Sequence, residues 1–263
     1  MQQVGHPPTE GHQTVERAFE VLEVLAAEGP QGVTGLAARL GLEKSTASRL
    51  LKTLGGLGYA VQNGPRGTYQ LGPRVLFLAE RYLDENRLAR EARPVLKRLS
   101  QEARASAHLA RQVGAQFLVV AKEASPEQIQ VASEVGAPTS PHASALGKVL
   151  LAAQAPAARR DFCVFPLQRF TEKTLVEPRA LEAELEAVSR RGYALETGEE
   201  HPGVGCIGAP VRDAGGHCVA ALSISGPIQG TPFRLDKAHI RMLTDAAAEL
   251  SRRMGHGNGP RED

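Results

Sequence analysis

The 263-residue chain has no tryptophan, only three cysteines and 4% aromatic residues, and its 31 lysines and arginines nearly cancel its 29 acids. Each shortage excludes something. Cys163, Cys206 and Cys218 are odd in number and form no C-x-x-C pair, which argues against a disulfide framework. A net charge of +2 is too small to mark the whole surface for nucleic acid. No apolar run approaches the ~18 residues that a membrane helix needs. The opening from Met1 to Pro8 has neither a basic n-region nor an apolar h-region, so a cytoplasmic chain without membrane contact is expected. What is present, 42% hydrophobic and 23% charged residues, suits a folded globular protein, and the length suits two modest domains.

Charge is unevenly placed. From Val33 to Arg74 the cations Arg39, Lys44, Arg49, Lys52, Arg66 and Arg74 face Glu43 alone, whereas the preceding stretch holds Glu10, Glu16, Glu20, Glu23 and Glu28. A basic island in a balanced chain is the electrostatic footprint of a phosphate-binding segment. Around it the hydrophobic spacing predicts a helix from Thr14 stopped by Gly29-Pro30, a short helix from Gly32 to Leu40, and a third from Glu43 to Leu57 closed by Gly58. Two strand-like runs, 59–62 and 68–71, flank the Gly-punctuated tip 63–67, a hairpin signature.

Ala37, Gly41, Ala47 and Leu50 supply in order the small contact residue, the turn glycine and the apolar anchors of a helix-turn-helix. The remaining face of the third helix carries Lys44, Ser45, Thr46, Ser48, Arg49 and Lys52, residue types that pair with base edges and phosphates in a major groove. A solvated basic face would show the same residues. The accompanying helices, turn glycine, hairpin and local charge favour DNA, with Arg66 at the hairpin tip reaching the backbone or a narrow minor groove.

Gly72-Pro73 opens a further helix at Arg74 with an apolar face of Val75, Leu76, Leu78, Ala79, Tyr82 and Leu83. A helical run from Leu88 to Leu99, interrupted by Pro94, follows, and a domain boundary is placed near Asn86. Beyond it the pattern is mixed: strands are expected at 107–113, 116–122, 128–133, 206–212 and 218–225, helices at 144–153, 157–162, 181–191 and 236–254. Hairpin-sized gaps at 113–115 and 213–216 favour an antiparallel sheet with helices on its faces. The fold class is therefore α+β: a flexible tail over 1–13, a winged helix-turn-helix over 14–72, a linker helix over 73–87, an α+β domain over 88–254 and a second tail over 255–263.

The second domain holds a candidate anion site. Ser144 precedes a helix whose first N–H groups, at Ala145, Leu146 and Gly147, lack intrahelical acceptors and sit at a positive dipole end, where a carboxylate fits. Strand alternation puts the hydroxyls of Ser223 and Ser225 on one face and Leu222 and Ile224 on the other, and Cys206 shares a face with Gly208. Ser144 also reads as a helix N-cap, His142 as a group satisfying nearby backbone, and Lys148 as a surface charge. Glu199-Glu200-His201 has no second His or Cys at metal spacing, so neither a metal nor a cofactor is expected.

The run 40–51 (Leu-Gly-Leu-Glu-Lys-Ser-Thr-Ala-Ser-Arg-Leu-Leu), Gly58-Tyr59 and 69–72 (Tyr-Gln-Leu-Gly) resemble the DNA-binding half of the IclR family of bacterial transcription regulators. The resemblance continues through 140–148, 192–194, 203–211 and 220–227; Gly35 and the pair Gly55-Gly56 depart from it. It implies a GAF-like effector-binding domain in the second half, with Ala145, Leu146, Cys206, Ser223 and Ser225 as ligand contacts and Glu196 beside them. A small organic acid, a palindromic double-stranded operator and a homodimer, with dimers able to pair into tetramers, are the implied partners. An opposing expectation is a thiol redox sensor or small enzyme with Cys206 or Cys218 as nucleophile and His142, His201 or His217 as base. No glycine elbow or paired carboxylate set accompanies those cysteines, so a non-catalytic protein is expected.

Overall fold

The computed structural model describes residues 13–65, 67–127, 134–163 and 165–257, apart from the side chains of Leu83 and Asp84. The chain divides into two compact units, before and after the Asn86–Arg87 bond.

The first unit begins with α1 (Gln13–Glu28), α2 (Val33–Leu40) and α3 (Lys44–Gly56). Their apolar stripes meet in a core of Val21, Leu25, Leu36, Leu50, Leu51 and Leu54, completed by Ala60 and Tyr69 from the hairpin. Each buried Val or Leu contributes ~1.5 to 3 kcal/mol. Gly41 stops α2 with a left-handed φ of 62°, and its successor Leu42 donates N–H to the Ala37 carbonyl at 2.9 Å. That is a Schellman cap, and only glycine adopts its geometry without strain. Gly58 closes α3 in the same way, with φ of 81° and Tyr59 bonded back to Leu54 at 2.9 Å. Strands β1 (Ala60–Gln62) and β2 (Tyr69–Leu71) pair antiparallel, and Gln31 extends the ribbon by exchanging two 2.8 Å backbone bonds with Tyr69. Helix α4 (Arg74–Glu85) follows, with Leu76, Phe77, Leu78 and Tyr82 exposed.

In the second unit, α5 (Arg87–Ala103) runs straight through Pro94. The expected interruption does not occur. Pro94 is on the exposed side while Leu88, Ala92, Val95, Leu96 and Leu99 are buried, and their burial outweighs the ~3 kcal/mol cost of an interior proline. Strands β3 (Ser106–Val113), β4 (Gln116–Glu123), β5 (Ala194–Thr197), β6 (Val204–Arg212) and β7 (Cys218–Pro227) form one antiparallel sheet in the order β4-β3-β7-β6-β5. The edge strand β5 is too short for alternation to announce it, and the expected strand at 128–133 lies outside the described residues. The expected helix at 157–162 is a single 3-10 turn, Ala158–Asp161. Helices α6 (Ala145–Ala152), α7 (Pro178–Arg191) and α8 (Lys237–Arg253) complete the unit. α7 starts three residues before the expected Leu181 because Pro178 occupies the first helical position, where its missing N–H costs nothing.

The sheet has two different faces. Ala107, Leu109, Ile207, Ala209, Leu222 and Ile224 pack with α5 and α8 into an apolar layer. The opposite parity, including Ala110, Ala194 and Ala221, packs beneath α6 and α7. On that second face lie the polar residues of the candidate site.

Candidate DNA interface and effector pocket

The first-unit surface is set by α3. Ala47, Leu50, Leu51 and Leu54 anchor it in the core, so Lys44, Ser45, Arg49 and Lys52 are exposed and Thr46 and Ser48 half-buried. Among the described residues Lys44, Arg49 and Lys52 make no ion pair, whereas Arg39 is tied to Glu28 at 2.8 Å. Three unneutralised cations and a hydroxyl on one helix face can displace counterions from a phosphate backbone and present donors to base edges. Arg66 lies outside the described residues; its neighbours Gly64 and Pro65 are exposed at the hairpin tip.

In the second unit the sheet register assembles a polar surface. Ser106, Ser225, Cys206 and Glu196 form one row across β3, β7, β6 and β5, and His108, Ser223, Gly208 and Ala194 form the next. The N-terminus of α6 lies against Gly208, where a Cβ would stand 2.7 Å from the Ala145 carbonyl oxygen. Glycine is therefore the condition for that approach, which brings Ala145 onto the second row. Gly147 is equally constrained, because a Cβ there would overlap the Ser140 carbonyl.

Ser144 caps this helix. Its hydroxyl donates to the Ser140 carbonyl at 2.7 Å, accepts from the Gly147 N–H at 2.9 Å and lies 2.7 Å from the Thr139 hydroxyl. Its bonding capacity is spent on the loop, and the Gly147 N–H expected to be free is capped. The N–H groups of Ala145 and Leu146 have no acceptor among the described residues, so two donors are left at the positive dipole end of the helix. His142 holds the loop from behind: Nε2 lies 2.9 Å from the Gln168 carbonyl and Nδ1 3.4 Å from the Ser140 hydroxyl.

Lys148 is not a surface charge. It is 1% exposed, because α6 is enclosed between the sheet and α7, and its ammonium is matched by Glu199 at 2.5 Å and the Leu195 carbonyl at 3.3 Å. A lysine reaches such burial only when paired, and its partner is 51 positions away. Glu196 is buried beside them, its carboxylate accepting from the N–H groups of Glu199 and Glu200. Burial raises the Glu196, Glu199 and Glu200 carboxyls, and Lys148 pulls the first two back toward the ionised form. Among the described residues no group of His, Cys, Asp and Glu side chains is arranged to hold a metal.

His108 is the residue that sequence reasoning missed. It is 3% exposed, faces Ser223 across the β3–β7 pair, and its Nε2 has no hydrogen-bond partner among the described residues. Strand alternation gives its face, but only the cross-strand register places it next to the serines.

Residues 14–64 match the IclR helix-turn-helix domain, and residues 80–252 match the family described as bacterial transcriptional regulator IclR C-terminal. The chain belongs to the IclR family. It is 32% identical over 261 residues to the HTH-type transcriptional regulator BhcR of Paracoccus denitrificans, covering 99% of this chain and 92% of that one. It is 33% identical over 248 residues to the glycerol operon regulatory protein of Streptomyces coelicolor, covering 93% and 97%. An IclR homolog from Microbacterium hydrocarbonoxydans, solved in complex with 4-hydroxybenzoate, superposes with a TM-score of 0.79 at 27% identity, covering 92% of this chain and 99% of that one. Both the helix-turn-helix and the antiparallel sheet flanked by helices are thus those of IclR-family DNA-binding transcriptional regulators.

The surroundings of the three cysteines offer little to thiol chemistry. Burial, with the Glu196 carboxylate beside it, pushes the Cys206 thiol well above its ordinary range, and burial raises Cys218 and takes Cys163 to about 11. A nucleophilic cysteine needs the reverse shift. Of the three histidines considered as bases, His142 is bonded to the Gln168 carbonyl and His217 lies beside Asp213.

Proposed function

We propose that this protein is a sequence-specific DNA-binding regulator, without catalytic activity, whose operator affinity is set by a small carboxylic acid bound in the second unit. The observation that carries the reading is the seating of α6 on Gly208: it sets the start of the helix, with the Ala145 and Leu146 N–H groups, against the strand rows that hold Ser223, Ser225 and Cys206. Backbone donors at a positive dipole end suit a carboxylate. The hydroxyls supply orientation, Glu196 fixes the adjoining turn, and Ser144 acts by holding the helix end.

Lys44, Ser45, Thr46, Ser48, Arg49 and Lys52 would read the operator, with Arg66 on the backbone. One short helix contacts few bases, so a dimer on a palindrome with half-sites ~34 Å apart is the natural geometry. The exposed Leu76, Phe77, Leu78 and Tyr82 of α4 offer an apolar surface for that pairing, and dimers would pair further into tetramers. Among the described residues no helix is long and apolar enough to cross a membrane; as a regulator acting on DNA, the protein would work in the cytoplasm. The acid would shift operator affinity only by its differential affinity for two arrangements of the protein, typically ~1 to 3 kcal/mol.

Thermal melting against a panel of small carboxylic acids tests this. A ligand at ~100 times its dissociation constant adds ~2.7 kcal/mol to native stability, a shift that Ser223→Ala with Ser225→Ala should abolish, and the same acid should change operator affinity. Specific DNA binding with no shift from any acid would defeat the effector assignment.

A further inference from the structure

We infer that His108 is a specificity-determining residue of the effector pocket, and that the acid recognised there carries a hydroxyl group placed between the His108 imidazole and the Ser225 hydroxyl. This rests on the pocket reading above and adds the second functional group of the ligand. The two side chains come from adjacent strands and the same sheet face: His108 is opposite Ser223, and Ser225 is opposite Ser106, one pleat along. Each is 3% exposed; His108 Nε2 lacks a hydrogen-bond partner among the described residues, and the Ser225 hydroxyl has the Cys206 thiol beside it as its one side-chain partner among them. Buried polar atoms are almost always paired, and an orphan carries a desolvation cost that a purely structural position would not retain. An orphan imidazole and a hydroxyl with bonding capacity to spare, on one sheet face, form a matched site.

Their chemistry selects the ligand group. Burial and the Lys122 ammonium, which faces His108 across the β3–β4 pair, keep the imidazole neutral with a pKa of about 4. A neutral imidazole nitrogen either donates or accepts, according to tautomer, and a serine hydroxyl does both. A ligand hydroxyl, itself both donor and acceptor, completes this pair in either tautomer. A second carboxylate suits the surroundings less, since Glu196, Glu199 and Glu200 lie in the same region and Lys148 is already committed to Glu199.

The test is calorimetric titration of the full-length protein with matched acids: glycolate against acetate, lactate against propionate, and 4-hydroxybenzoate against benzoate. In at least one pair the wild type should favour the hydroxy acid by about tenfold or more, the worth of one well-made hydrogen bond. His108→Leu and His108→Phe should reduce that preference to within about twofold, and melt at or above the wild-type temperature. Plain and hydroxy acids binding alike, or a preference that survives in either variant, would overturn the role of His108 while leaving the carboxylate site standing. Failure of both variants to fold would also overturn it, because it would show the imidazole to be a structural requirement. Absence of binding by every acid to the wild type would remove the pocket reading itself.

Discussion

Gly208 on β6 and Ala145 at the start of α6 are in such close contact that a single methyl group on the strand would come within 2.7 Å of the helix residue's carbonyl oxygen. The contact sets the start of α6 against the strand row that holds Ser223 and His108. Gly208→Ala should push the helix end off the sheet at a cost of about 1 to 3 kcal/mol, the usual effect of overpacking. The expected result is a lowered melting temperature and loss of acid-induced stabilisation, with operator binding retained in a gel-shift titration. Undiminished acid response would mean that the ligand does not use the Ala145 and Leu146 amides.

On α3, position along the helix predicts different failures. Lys52→Ala should weaken binding to all DNA sequences alike and lower the slope of log affinity against log salt by about 1, the signature of one lost phosphate contact. Arg49→Ala should cost about 1 to 3 kcal/mol on the operator and relax the choice of base at one position. Fluorescence anisotropy on operator and scrambled duplexes at several salt concentrations separates the two. Wild-type affinity in both variants would exclude this face from DNA.

Lys148→Met would leave Glu199 buried without its cation. Breaking a buried pair from one side costs about 3 to 5 kcal/mol, whereas replacing both partners costs far less. Urea unfolding should therefore show a large loss for the single variant and substantial recovery when Glu199→Gln is added.

His108 predicts a pH dependence of folding. Its pKa is lowered from an ordinary 6.5 to about 4, so between those values the unfolded chain binds a proton that the native state refuses, and stability rises with pH. Its contribution is in place above about pH 6.5, and about 3 kcal/mol is lost as the pH falls toward 4. The raised carboxyls of Glu196, Glu199 and Glu200 act with the opposite sign, since the folded state holds their protons more tightly. The informative quantity is the difference between wild type and His108→Phe, which should narrow in favour of the variant at neutral pH and widen in acid. Parallel curves would show that the imidazole takes up its proton alike in the folded and unfolded protein.

Local signals carried the sequence far where function depends on spacing within one element. Ala37, Gly41, Ala47 and Leu50 announce the helix-turn-helix because helix period and turn chemistry are short-range. The parity of Ser223 and Ser225 is legible for the same reason. What stayed hidden depends on pairing between distant segments. Lys148 looks like any solvent-facing lysine until Glu199 is brought to it, and His108 looks like a lone strand histidine until β3 pairs with β7. Pro94 misled in the opposite direction: its intrinsic penalty is visible in sequence, and the burial that overrides it is not.

On the proposed reading, the Lys148–Glu199 pair would also limit how a protein of this design could change its ligand over evolutionary time. The lysine bonds to both the Leu195 carbonyl and the Glu199 carboxylate, so the helix that supplies the amides is fastened to the edge of the sheet from within. A mutation that repositions the helix must pass through an unpaired buried charge. The strand wall has no such lock. Exchanges at His108, Ser223 and Ser225 would alter the donors and acceptors offered without disturbing that anchorage, so a descendant could abandon one acid for another while the proposed carboxylate seat stays put.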